Sequence, residues 1–271
     1  MRRNPSLLVL LIIFLIRPFV FSGPAGAACR NPYLAGFGAP FFVLAAAPGP
    51  VEIEWFGHSF FQITSSSGTK IITDPFGPMG FPMPEVWPHV VTVGREHGNH
   101  NNVGLAKGSP LILRSLTEDT LDWKVIDLTF RDVLIYNVPT HQRGYLGLPV
   151  SLKGAAYVFE MDGLCILHSG DVAEPFNEDQ LQLIGHIDVL LVPIGGRYTA
   201  GPAEARRIIE QLKPKIAVPM HYWYGTNELE QFTAGPYPAR HLNTSKFTVS
   251  KETLPPSTEI YVLEVFFEGE P

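Results

Sequence analysis

Cysteine and charge are both scarce in this 271-residue chain. Two cysteines, Cys29 and Cys165, are too few for the disulfide framework of a small secreted domain. Cys165 lies in the run Leu164-Cys165-Ile166-Leu167, where a small buried hydrophobe is the expectation. No motif prepares either thiol as a nucleophile, so a metal would have to be held by His, Asp or Glu. Only 17% of the residues are charged, and 20 basic against 26 acidic residues leave a net charge of −6. Without a basic stripe, nucleic-acid binding is not expected. No apolar run reaches the roughly 20 residues of a spanning helix, and no repeat or heptad is visible. What is plentiful is apolar side chain, 45% of the chain, together with 25 Gly and 25 Pro. That composition builds a real core from short elements joined by many turns.

The N-terminus has the layout of an export signal. Arg2 and Arg3 precede ten apolar residues, Leu7 to Ile16, and then Ala25-Gly26-Ala27, which gives a basic region, an apolar region and a small-residue cleavage site. The domain reading is a signal peptide over 1–27, a linker of Ala, Gly, Pro and Phe over 28–50, and a folded domain over 51–271. The expected location is the periplasm or the extracellular space. Membrane association would need an uncleaved signal or a lipid on Cys29, and Gly26 stands where a lipid signal usually has a large aliphatic residue.

From Val51 onward short apolar runs recur at 51–55, 60–64, 70–73, 90–93, 111–113, 133–138, 156–161, 164–168, 189–193, 216–219 and 259–266. Many are β-branched or aromatic and are bounded by turn residues, so they read as strands. Gly163 sits between two of them as in a hairpin. The spacing of Ala205, Ile208, Ile209 and Leu212 behind Pro202 predicts a helix over 202–213, and Asn177 caps a second over 177–184. Strands succeeded by helix–strand alternation suggest two sheets between helices.

Nine histidines make position more informative than number. Arg95-Glu96-His97-Gly98-Asn99-His100 comes after an apolar strand; Asp171 lies just past Leu167-His168, and His221 just past Val218-Pro219-Met220. Strand ends at one sheet edge are where ligands gather in α/β proteins. With Trp55-Phe56-Gly57-His58-Ser59-Phe60-Phe61, Thr73-Asp74-Pro75, Val192-Pro193-Ile194-Gly195-Gly196 and Pro219-Met220-His221-Tyr222, this series resembles the metallo-β-lactamase superfamily. It is most similar to the branch of ascorbate-6-phosphate lactonase-like, predicted metal-dependent hydrolases. The resemblance runs in order from residue 51 to about 224 and implies an α/β fold, the four-layer αββα sandwich.

The resemblance also implies a site, and the departures alter it. The family run is His-x-His-x-Asp-His; here Arg95 replaces the first His and Asn99 the Asp. The family's middle His is met by His141, one residue early. Carried over by position, the metal ligands are His97, His100, Asp171 and His221, with Asn99 as a weaker amide donor. Arg95 cannot coordinate, since guanidinium has five donors and no acceptor. About 4 Å from a divalent ion it would be repelled by roughly 8 kcal/mol. The expectation is therefore one zinc ion, held by His100, His221 and Asp171 with a position open for water.

The activity implied by the resemblance is that of an exported hydrolase using metal-bound hydroxide on a small ester, lactone, amide or phosphoester. His97 or His141 would move the proton, and Arg95 would clamp an anionic substrate. A non-catalytic binding protein that keeps the sandwich and has lost its metal stands as the alternative. His58 is read as structural, bonding across its hairpin, His168 as a core or supporting residue, and Asp74 as turn-forming.

Overall fold

A computed structural model describes residues 29–30, 48–144, 152–223 and 225–265. Most of the signal and linker assigned from sequence therefore lies outside the described residues, as do residues 145–151 and 266–271.

The first sheet is built from β1 (Val51–Gly57), β2 (Phe60–Thr64), β3 (Lys70–Thr73), β4 (Val90–Val93) and β5 (Leu111–Arg114). In β1 every second residue is buried, the period-2 pattern of a half-buried strand. The second sheet takes β6 (Asp127–Phe130), β7 (Val133–Gln142), β8 (Leu152–Met161), β9 (Leu164–His168), β10 (Val189–Pro193), β11 (Ile216–Met220) and β12 (Ala239–His241). The chain then returns to the first sheet with β13 (Lys246–Val249) and to the second with β14 (Glu259–Val262). Strand order is β13-β1-β2-β3-β4-β5 in one sheet and β12-β14-β11-β10-β9-β8-β7-β6 in the other. Strands β9, β10 and β11 are wholly buried and mutually parallel, as expected for a sheet covered on both faces.

The β8–β9 hairpin turns at Asp162 and Gly163, both at positive φ, the requirement of a tight two-residue turn that matches strand twist. Helix α1 (Glu178–Ile184) starts in a capping box between Asn177 and Gln180. Helix α2 (Pro202–Leu212) buries Ala205, Ile208 and Ile209 against the sheet, and α3 (Glu228–Thr233) packs on α2. This is the expected αββα sandwich. Strands β7 and β8 run longer than their apolar stretches suggest, because His141 pairs with Lys153 and Gln142 with Leu152 at the polar end of that ribbon.

One expectation fails. Cys165 is buried, but as half of a disulfide with Cys29, 136 residues away. Neighbouring residues hold the N-terminal pair as well. The Cys29 carbonyl accepts from the His186 amide at 2.8 Å, and the Cys29 amide donates to Glu160 Oε2 at 3.1 Å. The Arg30 guanidinium lies 4.0 Å above the Tyr136 ring. Apolar neighbours in sequence hide a covalent partner this distant.

Candidate functional site

Three sheet-edge segments and one hairpin meet at the site. After β4 the chain passes close under β8: a Cβ on Gly94 would stand 2.6 Å from the Ala155 carbonyl oxygen, so only glycine fits. Asp74, in the turn after β3, accepts from the Gly94 amide at 2.6 Å and pairs with His100 Nδ1 at 3.2 Å. The loop 94–100 then folds back on itself, with the His100 amide donating to the His97 carbonyl. His100 is thus aimed by a buried carboxylate through one nitrogen, which leaves Nε2 facing the site.

Asp171 comes after β9 through Gly170, another close approach to Ala155. His221 comes after β11 at a φ of 57°. Its amide donates to the His58 carbonyl at 3.1 Å, and the same carbonyl accepts from the Trp55 indole at 3.0 Å. The tip of the β1–β2 hairpin, with His58 at a φ of 50°, is in this way tied to the end of β11.

The side chains converge on Asp171. His100 Nε2 lies 3.0 Å from Oδ2, Arg95 Nη1 3.0 Å from Oδ2, and His221 Nε2 3.4 Å from Oδ1. The His58 ring centroid is 3.9 Å from that of His221 and 4.8 Å from that of His100. One ring nitrogen from each of His58, His100 and His221 falls within 4.8 Å of the others. His58 Nδ1 and Asp171 Oδ1 are buried without a hydrogen-bond partner.

Burial would raise the Asp171 carboxyl, but the charges of His100 and His221, the His100 hydrogen bond and Arg95 hold it well below the usual range. Burial would likewise depress His100; the charge and hydrogen bond of Asp171, joined by Asp74, override it and push it up to about 9. Burial lowers His58 and His221, and neighbouring imidazoles depress them further against the opposing charge of Asp171. Imidazoles beside an ionised carboxylate are a donor set that suits a divalent cation, which would have to displace the proton that Asp171 and Asp74 hold on His100. The Asp74–His100 contact is the orienting bond that metal-binding histidines usually carry on their other nitrogen.

His100, Asp171 and His221 come together as anticipated. His97 does not join them: it is exposed, its Nδ1 accepts from the Asn99 amide at 3.3 Å, and its ring centroid is 6.4 Å from that of His100. His141 is turned edge-on to Trp123 at 5.2 Å. His168 is buried and bonded to the Ser59 carbonyl. Sequence reasoning missed His58. Its signal was a polar residue at a hairpin tip between apolar strands, and the geometry that brings it to His221 comes from a strand about 160 residues further along the chain.

A family model described as a Beta-lactamase superfamily domain matches residues 52–221. The chain is 33% identical over 195 residues to a UPF0173 metal-dependent hydrolase of Thermococcus kodakarensis, covering 64% of this chain and 84% of that protein. It is 32% identical over 246 residues to another from Myxococcus xanthus, covering 78% and 84% respectively. A Thermotoga maritima crystal structure of a metallo-beta-lactamase superfamily protein superposes with a TM-score of 0.61 at 30% identity. That match covers 80% of this chain and all of the other.

Proposed function

This chain belongs to the metallo-β-lactamase superfamily, and on that premise we propose that it is an exported hydrolase using one zinc ion on a small anionic ester, lactone, amide or phosphoester. That it is a metal-dependent hydrolase accords with its relatives. The finer reading rests on one observation, the 3.0 Å ion pair between Arg95 and Asp171. In the family that carboxylate is shared by two metals; here a fixed cation stands against it, so one ion at most shares the pocket with His100 and His221.

When bound, such an ion polarises a carbonyl or phosphoryl oxygen and lowers the pKa of water. The chain's own residues supply the rest. His100, His221 and Asp171 hold the ion. Arg95 spends Nη1 on Asp171 and its side chain keeps 16% of its surface exposed, so its fork can take an anionic group of the substrate. His97 is exposed at the rim, and partial burial with the Arg95 charge lowers its pKa, which suits a neutral base that takes up a proton. His141, set against Trp123, is the weaker candidate for that step.

Export is supported by the Cys29–Cys165 disulfide, since such bonds persist in oxidising compartments; a bonded Cys29 also has no thiol left to carry lipid. N-terminal sequencing of native material should find a start at Ala28 or Cys29, within reach of the bond, and an intact Met1 in a cytosolic fraction would end this reading.

The activity test is a panel of matched anionic and neutral chromogenic esters, lactones and phosphoesters, run with zinc and after EDTA. Turnover should vanish with EDTA and return with zinc, and Arg95→Ala should raise KM for the anionic member of each pair more than for the neutral one. Absence of both turnover and bound metal would favour the non-catalytic alternative, in which Arg95 and His100 neutralise Asp171.

A further inference from the structure

The hairpin histidine is a buried group at the site to which the family pattern gives no task. His58 is 4% exposed, and its Nδ1 has no hydrogen-bond partner. A buried polar atom without a partner is costly and uncommon in native proteins. Asp171 Oδ1 beside it makes no hydrogen bond either, with the His221 nitrogen standing 3.4 Å away. A water donating to both, or a cation, would engage an imidazole and a carboxylate lone pair together, and the two further imidazoles within reach favour the cation.

Geometry makes the same point. Nitrogens bound tetrahedrally at the usual zinc distance stand about 3.4 Å apart. The three rings of His58, His100 and His221 bring one nitrogen each within 4.8 Å of the others, somewhat wider than that spacing. His58 is held there by its backbone: its carbonyl bonds the His221 amide and the Trp55 indole. A Cβ at the preceding Gly57 would fall 2.3 Å from the Phe81 ring, so the hairpin tip has little room to withdraw.

We propose that His58 is a ligand of the ion, which is held by three imidazoles, His58, His100 and His221, together with Asp171, so that water or substrate would enter as a fifth ligand. The hairpin nitrogen adds a donor to His100, His221 and Asp171, and Arg95 stands against the Asp171 oxygen that a second cation would have to use. The ion class is one that favours nitrogen donors, zinc or its cobalt substitute, over magnesium or calcium. This inference rests on the one-metal reading above.

The test is Co(II) titration of the full oxidised protein, monitored by visible absorption and by metal per chain after dialysis. Wild type should bind one Co(II). His58→Gln should weaken binding by more than about a hundredfold, beyond the 10–100-fold usual for a residue that only supports a ligand. His58→Cys should restore binding and add a thiolate-to-cobalt charge-transfer band that a merely structural residue would not produce. Pulsed EPR of the Cu(II)-loaded wild type needs no variant to fold and should count three coupled imidazoles. Two imidazoles, or a His58→Gln protein that binds as wild type does, would overturn the role of His58 and leave the His100–His221–Asp171 reading standing. A wild type that binds no metal would overturn both.

Discussion

The two sides of the site have gone different ways. On one side lie Arg95, His97, Asn99 and His141: the family's consecutive motif and its middle histidine, now with a cation at its head, an exposed ring and a histidine turned to Trp123. On the other lie His58, His100, Asp171 and His221, buried or nearly so and within a few ångströms of one another, although they come from four distant segments. The contrast teaches that a contiguous motif and a working donor set are separate things. The motif is a property of one loop, whereas the donor set is fixed by Asp74, the close passages at Gly94 and Gly170, and the tie between His58 and His221.

If that contrast is right, damage to the buried side should be severe. Asp171→Ala leaves Arg95 and His100 without their shared counter-charge. Urea unfolding in EDTA should show a loss of about 3–5 kcal/mol, the usual cost of breaking a buried pair, and metal binding should disappear. Reducing the Cys29–Cys165 bond should cost a comparable or smaller amount, about 2–5 kcal/mol. Because the bond lies away from the site, metal per chain in dithiothreitol-treated, still folded protein should be unchanged; loss of metal in step with reduction would tie the two regions together.

A smaller effect is expected at the hairpin tip that carries His58. Gly57→Ala places a methyl into the Phe81 ring at a φ of 108°. Overpacking alone costs about 1–3 kcal/mol, and thermal unfolding should show it. The exposed side gives the smallest change. His97→Ala should stay within about 0.5 kcal/mol of wild type and keep its metal, while lowering turnover; a variant that loses its metal would return His97 to the ligand set.

The same physics decides how far the sequence could be read. The period-2 burial of β1, the apolar runs of β9 to β11 and the caps of α1 and α2 are local signals, and each element formed where its pattern lay. Strands β6, β12 and β13 were not legible because they are edge strands of mixed polarity, held by pairing with β7, β14 and β1 rather than by their own pattern. His100, Asp171 and His221 could be picked out because each lies at or near the end of a strand or its loop. His58 and the Cys29 partner of Cys165 could not, since both depend on contacts between segments far apart in the chain.

That Arg95 limits the site to one ion is tested most directly by elemental analysis of oxidised, chelator-free protein, wild type beside the Arg95→His, Asn99→Asp double variant. The first change removes a fixed cation and adds an imidazole, and the second adds an anionic oxygen, which together restore the His-x-His-x-Asp-His run. Wild type should carry about one zinc per chain and the double variant nearer two, by the ligand counts such sites require. Two tightly held zinc ions in the wild type would contradict the limit set by Arg95.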